Sequence, residues 1–65
     1  MYNLIGVDGN AYAIMGYVAK AMQREGYSKE EIDAYFDDAK SSDYNHLVSV
    51  SGEKIREINR KLREK

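Results

Sequence analysis

The chain reads as mostly α-helical: a compact three-helix domain with a short extended N-terminal arm and a long, basic C-terminal helix. Three observations predict this. Apolar residues recur at three- and four-residue spacing through three segments. Each segment opens on an Asp, Asn or Ser suited to capping a helix. A glycine or a polar cluster separates the segments, and proline is absent from the chain.

The arm comes first. Tyr2 to Val7 sets Ile5 and Val7 in alternation, a stretch too short to form a sheet alone, so it must lie on another element. "GVDGNAYAIMGY", residues 6–17, has the look of a ligand loop but lacks the parts. A Walker-type phosphate loop needs lysine and Ser/Thr after its glycines, and Ala11 and Tyr12 stand there. Gly6, Gly9 and Gly16 do not match the spacing of a dinucleotide fingerprint. Asp8 and Asn10 alone do not supply the oxygens of a calcium loop. The expectation is a turn at Gly9 and a helix cap at Asp8 or Asn10.

The first helix is expected over about Ala11 to Glu25, with Ala11, Ile14, Met15, Val18 and Met22 on one face. Gly26 follows as a left-handed stop. Gly16, with Ala13 and Ala19, forms a smooth strip. A glycine inside a helix costs about 1 kcal/mol relative to alanine. Close approach of another backbone or of an aromatic ring is the expected compensation, and a groove open to a partner is the alternative.

Ser28 opens the second helix. "SKEE" is a capping box, in which the Ser28 hydroxyl and the Glu31 carboxylate each reach the other's backbone N–H. Ile32, Tyr35, Phe36 and Ala39 share a face, and "KSSD" ends the element. The β-branched "HLVSVS" would suit a strand. Against that, Leu47, Ser51, Ile55, Ile58 and Leu62 keep helical spacing, and Asp43 is a good N-cap. We read one long helix from Asp43 to Arg63, either continuous or interrupted near Gly52.

The 65 residues make one domain, with a core expected over residues 4–50 and a basic helical extension over 52–65. There is no cysteine, hence no disulfide and no thiolate cluster, and His46 is the one imidazole. No apolar run approaches the roughly 20 residues needed to cross a bilayer. No secretory leader is evident, so a cytoplasmic protein without a membrane partner is expected. Residues 52–65 carry six basic groups against three acidic, net +3, and the remaining 51 residues carry −4.

"DYNH", Asp43 to His46, could with Asp8 hold a metal or move a proton, but a first helical turn with an exposed His46 explains the same residues. No serine is placed beside a base in a recognisable nucleophile pattern. No enzyme activity, cofactor or metal is therefore expected. A helix–turn–helix reading fails on charge: Lys29 to Lys40 holds five acidic groups against two lysines and would be repelled by phosphates.

Arg56, Arg60 and Arg63 fall at i, i+4 and i+7 and form a stripe. Arginine clamps carboxylates and phosphates alike. A solvated stripe, partly neutralised by Glu53 and Glu57, is the simplest expectation. An acidic protein partner comes next, then nucleic acid. Tyr12 and Tyr17 are candidate aromatic anchors. Ile55, Ile58 and Leu62 fall on a coiled-coil-like seam, which would permit a homo-oligomer.

"REGYSKEEIDAYFDDA" resembles the turn and second helix of ubiquitin-associated modules, except that Glu25 occupies the position of a hydrophobic patch residue. A wider resemblance spans residues 4–50. "LIGVDGNAYAIMGYVAKAM", "GYSKEEIDAY" and "SSDYNHLVSV" resemble, in order, the blocks of a family of short uncharacterised bacterial, phage and prophage proteins. Ser42 stands where that family usually has glycine, and the extension from Gly52 exceeds its core. The resemblance implies helix for "HLVSV" and carries no activity. The expected function is a small non-enzymatic binding protein of phage or prophage type acting through a protein–protein interface. Nucleic-acid binding through the arginine stripe and structural self-assembly are the alternatives.

Overall fold

A computed structural model describes residues 1–64 and contains three helices: α1 (Ala11–Arg24), α2 (Lys29–Ala39) and α3 (Tyr44–Arg63). No strand forms among the described residues. "HLVSVS" is helical: Leu47 and Ser51 are buried while Ser49 between them is exposed, which one face of a helix provides and a strand, with i, i+2 and i+4 on one side, would not. α3 runs unbroken through Gly52.

Each helix begins on a local hydrogen bond. Asn10 Oδ1 accepts the Tyr12 N–H at 2.8 Å and caps α1, while Asp8 Oδ1 accepts the Asn10 N–H at 2.9 Å and shapes the approach. The chain bends at Gly9 as expected, and a hydrogen-bonded turn that was not expected precedes it at Gly6, which has φ +89°, with the Val7 N–H bonded to the Leu4 carbonyl. That turn sends Ile5 outward, 87% exposed, while Leu4 and Val7 pack inward, so the Ile5/Val7 alternation does not hold.

α1 stops at Gly26, φ +86°, where the Tyr27 N–H reaches the Met22 carbonyl and the Gly26 N–H reaches that of Gln23. This is the hydrogen-bond pair of a Schellman motif, and Tyr27 packs on the core, an apolar contact that often accompanies it. The capping box at Ser28 is complete: the Glu31 N–H donates to Ser28 Oγ and the Ser28 N–H to Glu31 Oε1. The Ser28 backbone N–H, seconded by its hydroxyl, holds the Glu31 carboxyl below its ordinary range. Asp43 Oδ1 accepts the His46 N–H at 2.9 Å and starts α3.

The core takes Ile14, Met15, Val18, Ala21 and Met22 from α1, Tyr35 and Ala39 from α2, and Leu47, Ile55 and Ile58 from α3. Ser51 is fully buried among them and meets the Tyr35 hydroxyl at 2.6 Å. The stretch from Gly52 is therefore no appendage, since Ile55 and Ile58 lie in the core. Lys65, the last of the six basic groups, lies outside the described residues.

α2 returns antiparallel to α3, with Asp38 beside His46 and Tyr35 beside Ser51. α1 and α3 begin together, the Tyr44 hydroxyl donating to the Gly9 carbonyl. Just past the end of α1, the Tyr27 hydroxyl donates to Glu57 of α3 at 2.7 Å, and α3 continues beyond it to Arg63. The arm is strapped across this pair: the Asn59 side chain accepts the Tyr2 N–H at 2.9 Å and donates to the Tyr2 carbonyl at 2.8 Å.

Gly16 departs from expectation. It is exposed, and a Cβ built there meets nothing within 4 Å, so no backbone or ring approaches it. Of the six tyrosines in the chain, five hydroxyls are hydrogen-bonded elsewhere and Tyr12 faces solvent.

Candidate functional site

The outer face of α3 is set by its inner one. With Leu47, Ser51, Ile55 and Ile58 turned into the core, Arg56, Arg60 and Arg63 must project on the opposite side, and all three are exposed. None forms an ion pair or hydrogen bond among the described residues. Neither Glu53 nor Glu57 forms an ion pair with them among the described residues. Glu57 lies on another flank, where it accepts the Tyr27 hydroxyl and pairs with Lys54 at 3.2 Å. The Tyr27 hydrogen bond, followed by the lysine contacts, pulls the Glu57 carboxyl below its ordinary value.

Lysines and arginines of α3 thus do different work. Lys61 sits 4.5 Å and Lys54 5.7 Å from the Tyr27 ring centroid, both drawn to its electron-rich face. Burial, then the hydrogen bond to Glu57, raises the Tyr27 hydroxyl pKa above its ordinary value. The arginines are left facing outward as a ridge.

Tyr12 and Tyr17 do not join that ridge. Tyr12 is 79% exposed at the start of α1 and borders, with Tyr44, Met15 and Leu47, a groove of about 270 Å³. Tyr44 precedes Arg56 by twelve helical residues, about 18 Å along the axis. Tyr17 is half-buried: its hydroxyl accepts the Asn3 N–H at 2.9 Å, and its ring meets Tyr2 edge-on, centroids 6.3 Å apart. It anchors the arm of its own chain. A smaller cleft of about 140 Å³ lies at the far end of the bundle between Tyr27, Ile58, Lys61 and Leu62.

The coiled-coil seam is not on offer to a partner. Ile55 is 5% and Ile58 1% exposed, and Leu62 packs against the same core, so the stripe is used within the chain.

His46 is half-buried and engaged. Its Nε2 lies 2.9 Å from the Asp38 carbonyl, 3.0 Å from Asp38 Oδ1 and 3.3 Å from Ser41 Oγ. The Asp38 carboxylate raises the imidazole pKa above its ordinary value, partial burial opposing. A serine, histidine and aspartate come together here without forming a catalytic triad. Such a triad places the acid on one ring nitrogen and the nucleophile on the other, whereas Ser41 and Asp38 share Nε2. Asp8 is not part of the cluster. Among the described residues no three His, Asp or Glu side chains are grouped to hold a metal ion. No helix among them is long and apolar enough to cross a membrane.

The ridge was legible as i, i+4, i+7 spacing. The His46–Asp38 contact had no signal in sequence, because it depends on α2 folding back along α3. No family model, curated protein or solved structure matches the chain.

Proposed function

We propose that this is a small, non-enzymatic, cytoplasmic binding protein of the phage or prophage type, acting through a protein–protein interface on the outer face of α3. The ridge Arg56, Arg60 and Arg63 is the contact surface, and its partner is an acidic protein surface. The observation that carries the reading is that all three arginines are exposed and form no ion pair among the described residues. Arginine forks recognise carboxylates in bidentate fashion, which suits a helical or extended acidic segment laid along the ridge.

Phosphate would also satisfy arginine, so the test separates the two. Wild type and R56Q/R60Q/R63Q are used to capture partners from nuclease-treated and untreated lysate, followed by mass spectrometry. The proposal expects a protein held by wild type after nuclease and lost by the triple variant, both chains showing the same helical circular dichroism. Partners lost on nuclease treatment would instead indicate nucleic acid, with a steep fall of affinity with salt. Identical captures by wild type and variant would remove the ridge from the account.

A further inference from the structure

The outer faces of α2 and α3 carry charges at matching positions. On α2 these are Glu30, Asp33 and Asp37, with Lys40 at its C-cap, separated by three, four and three residues. On α3 they are Glu53, Arg56, Arg60 and Arg63, again separated by three, four and three. All eight side chains are exposed. At 3.6 residues per turn each set spans about 80° of its helix, opposite Tyr35 on α2 and opposite Ser51 on α3. Each set extends over ten residues, about 15 Å.

From this we infer that the acidic partner of the arginine ridge is a second copy of this chain, its α2 laid antiparallel along α3. Antiparallel docking pairs Glu53 with Lys40, Arg56 with Asp37, Arg60 with Asp33 and Arg63 with Glu30, four opposite charges in register. Parallel docking has the same spacing but sets Glu53 against Glu30 and Arg63 against Lys40. Like charges facing each other across an interface are strongly disfavoured, so the pattern selects one orientation.

The pairing cannot form within one chain. α2 and α3 are antiparallel neighbours there, but through Tyr35 and Ser51, with both charged faces turned away from the contact. Most of the surface is also unspent: Glu30, Asp37, Glu53 and the three arginines make no ion pair among the described residues. Asp33 holds only an exposed lysine, Lys29, at 3.3 Å. An acidic face meeting a basic one is a heterologous contact, so each added copy leaves one face of each kind open.

The inference rests on the ridge being a binding surface and adds what binds it. Sedimentation equilibrium at about 1 mM chain and about 0.02 M salt should show a mass above monomer that returns to monomer above about 0.5 M, where screening is short-ranged. Single reversals R60E and D33K should each lower the association constant at least tenfold, about 1.4 kcal/mol. The double variant R60E/D33K keeps the wild-type net charge and should restore association to within about threefold. R60E/D37K has that same net charge with the register broken, and should stay weak. A monomeric wild type at low salt overturns the inference, as does equal rescue by both double variants. Arginine-dependent capture of another protein by a monomeric wild type would uphold the ridge and remove the second copy.

Discussion

The Tyr35 and Ser51 hydroxyls meet 2.6 Å apart inside the core, where Tyr35 is 3% exposed and Ser51 fully buried. Each satisfies the other, and no buried side-chain polar atom among the described residues lacks a partner. Ser51→Ala should strand the phenol and cost about 1–3 kcal/mol. Tyr35→Phe should cost less, because a helical serine can turn its hydroxyl to the carbonyl one turn back. The double variant should be more stable than the two losses added together, and thermal or urea melts of the four-chain cycle measure that coupling. Simple additivity would contradict the pairing.

Gly16→Ala should stabilise the protein by about 1 kcal/mol, because the glycine has open space around it and nothing to compensate its helical cost. For a domain of this size that is a rise in Tm of about 4–8 °C. Gly52→Ala should act in the same direction, since α3 is likewise open there. Gly26→Ala should lower Tm, because an L side chain at φ +86° costs about 1–2 kcal/mol. A destabilised Gly16→Ala would mean that something does approach that face.

His46 ties the end of α2 to the first turn of α3, facing the Asp38 carbonyl and carboxylate on α2 and the Asp43 carboxylate beside it on α3. The Asp38 hydrogen bond favours the imidazolium, so the folded-state pKa lies above the ordinary 6.5. The stabilisation is then complete below about pH 6.5 and is lost as pH rises through the higher folded value. Wild type should lose more Tm than His46→Gln between about pH 5.5 and pH 8. Parallel pH profiles would contradict the latch.

Asn59→Ala should release the arm by removing both hydrogen bonds to the Tyr2 backbone. The expected loss is about 1 kcal/mol. The Tyr2 amide should exchange much faster, whereas the Asn3 amide, held by Tyr17, should change less. Unchanged exchange at Tyr2 would show that the strap is held by other means.

The parts of this fold that were legible in sequence are those settled by neighbours in the chain. Asn10, Ser28 and Asp43 cap within three residues of themselves, and Gly26 stops α1 through its own backbone conformation. Apolar spacing placed Ile14, Val18, Tyr35, Ser51 and Ile58 inward. What a buried-looking stripe packs against is not local information: Ile55, Ile58 and Leu62 serve their own core rather than a coiled-coil partner. Gly16 suggested a close approach that the tertiary packing does not make. Glu57 stood at ion-pair spacing from Arg60, but Tyr27, thirty residues away, takes it. For the same reason nothing local marks Tyr17 as the residue on which the arm lies.

The central claim is that the outer ridge of α3 is where this protein makes contact. ¹H–¹⁵N spectra of the isotopically labelled chain, recorded from dilute to about 1 mM at about 0.02 M salt, address it residue by residue. The account predicts concentration-dependent shifts confined to the charged outer faces, around Glu30–Lys40 and Glu53–Arg63, and their disappearance in R60E. Shifts centred instead on the groove at Tyr12 and Tyr44 would contradict it, as would no shifts at any concentration together with no arginine-dependent capture of another protein.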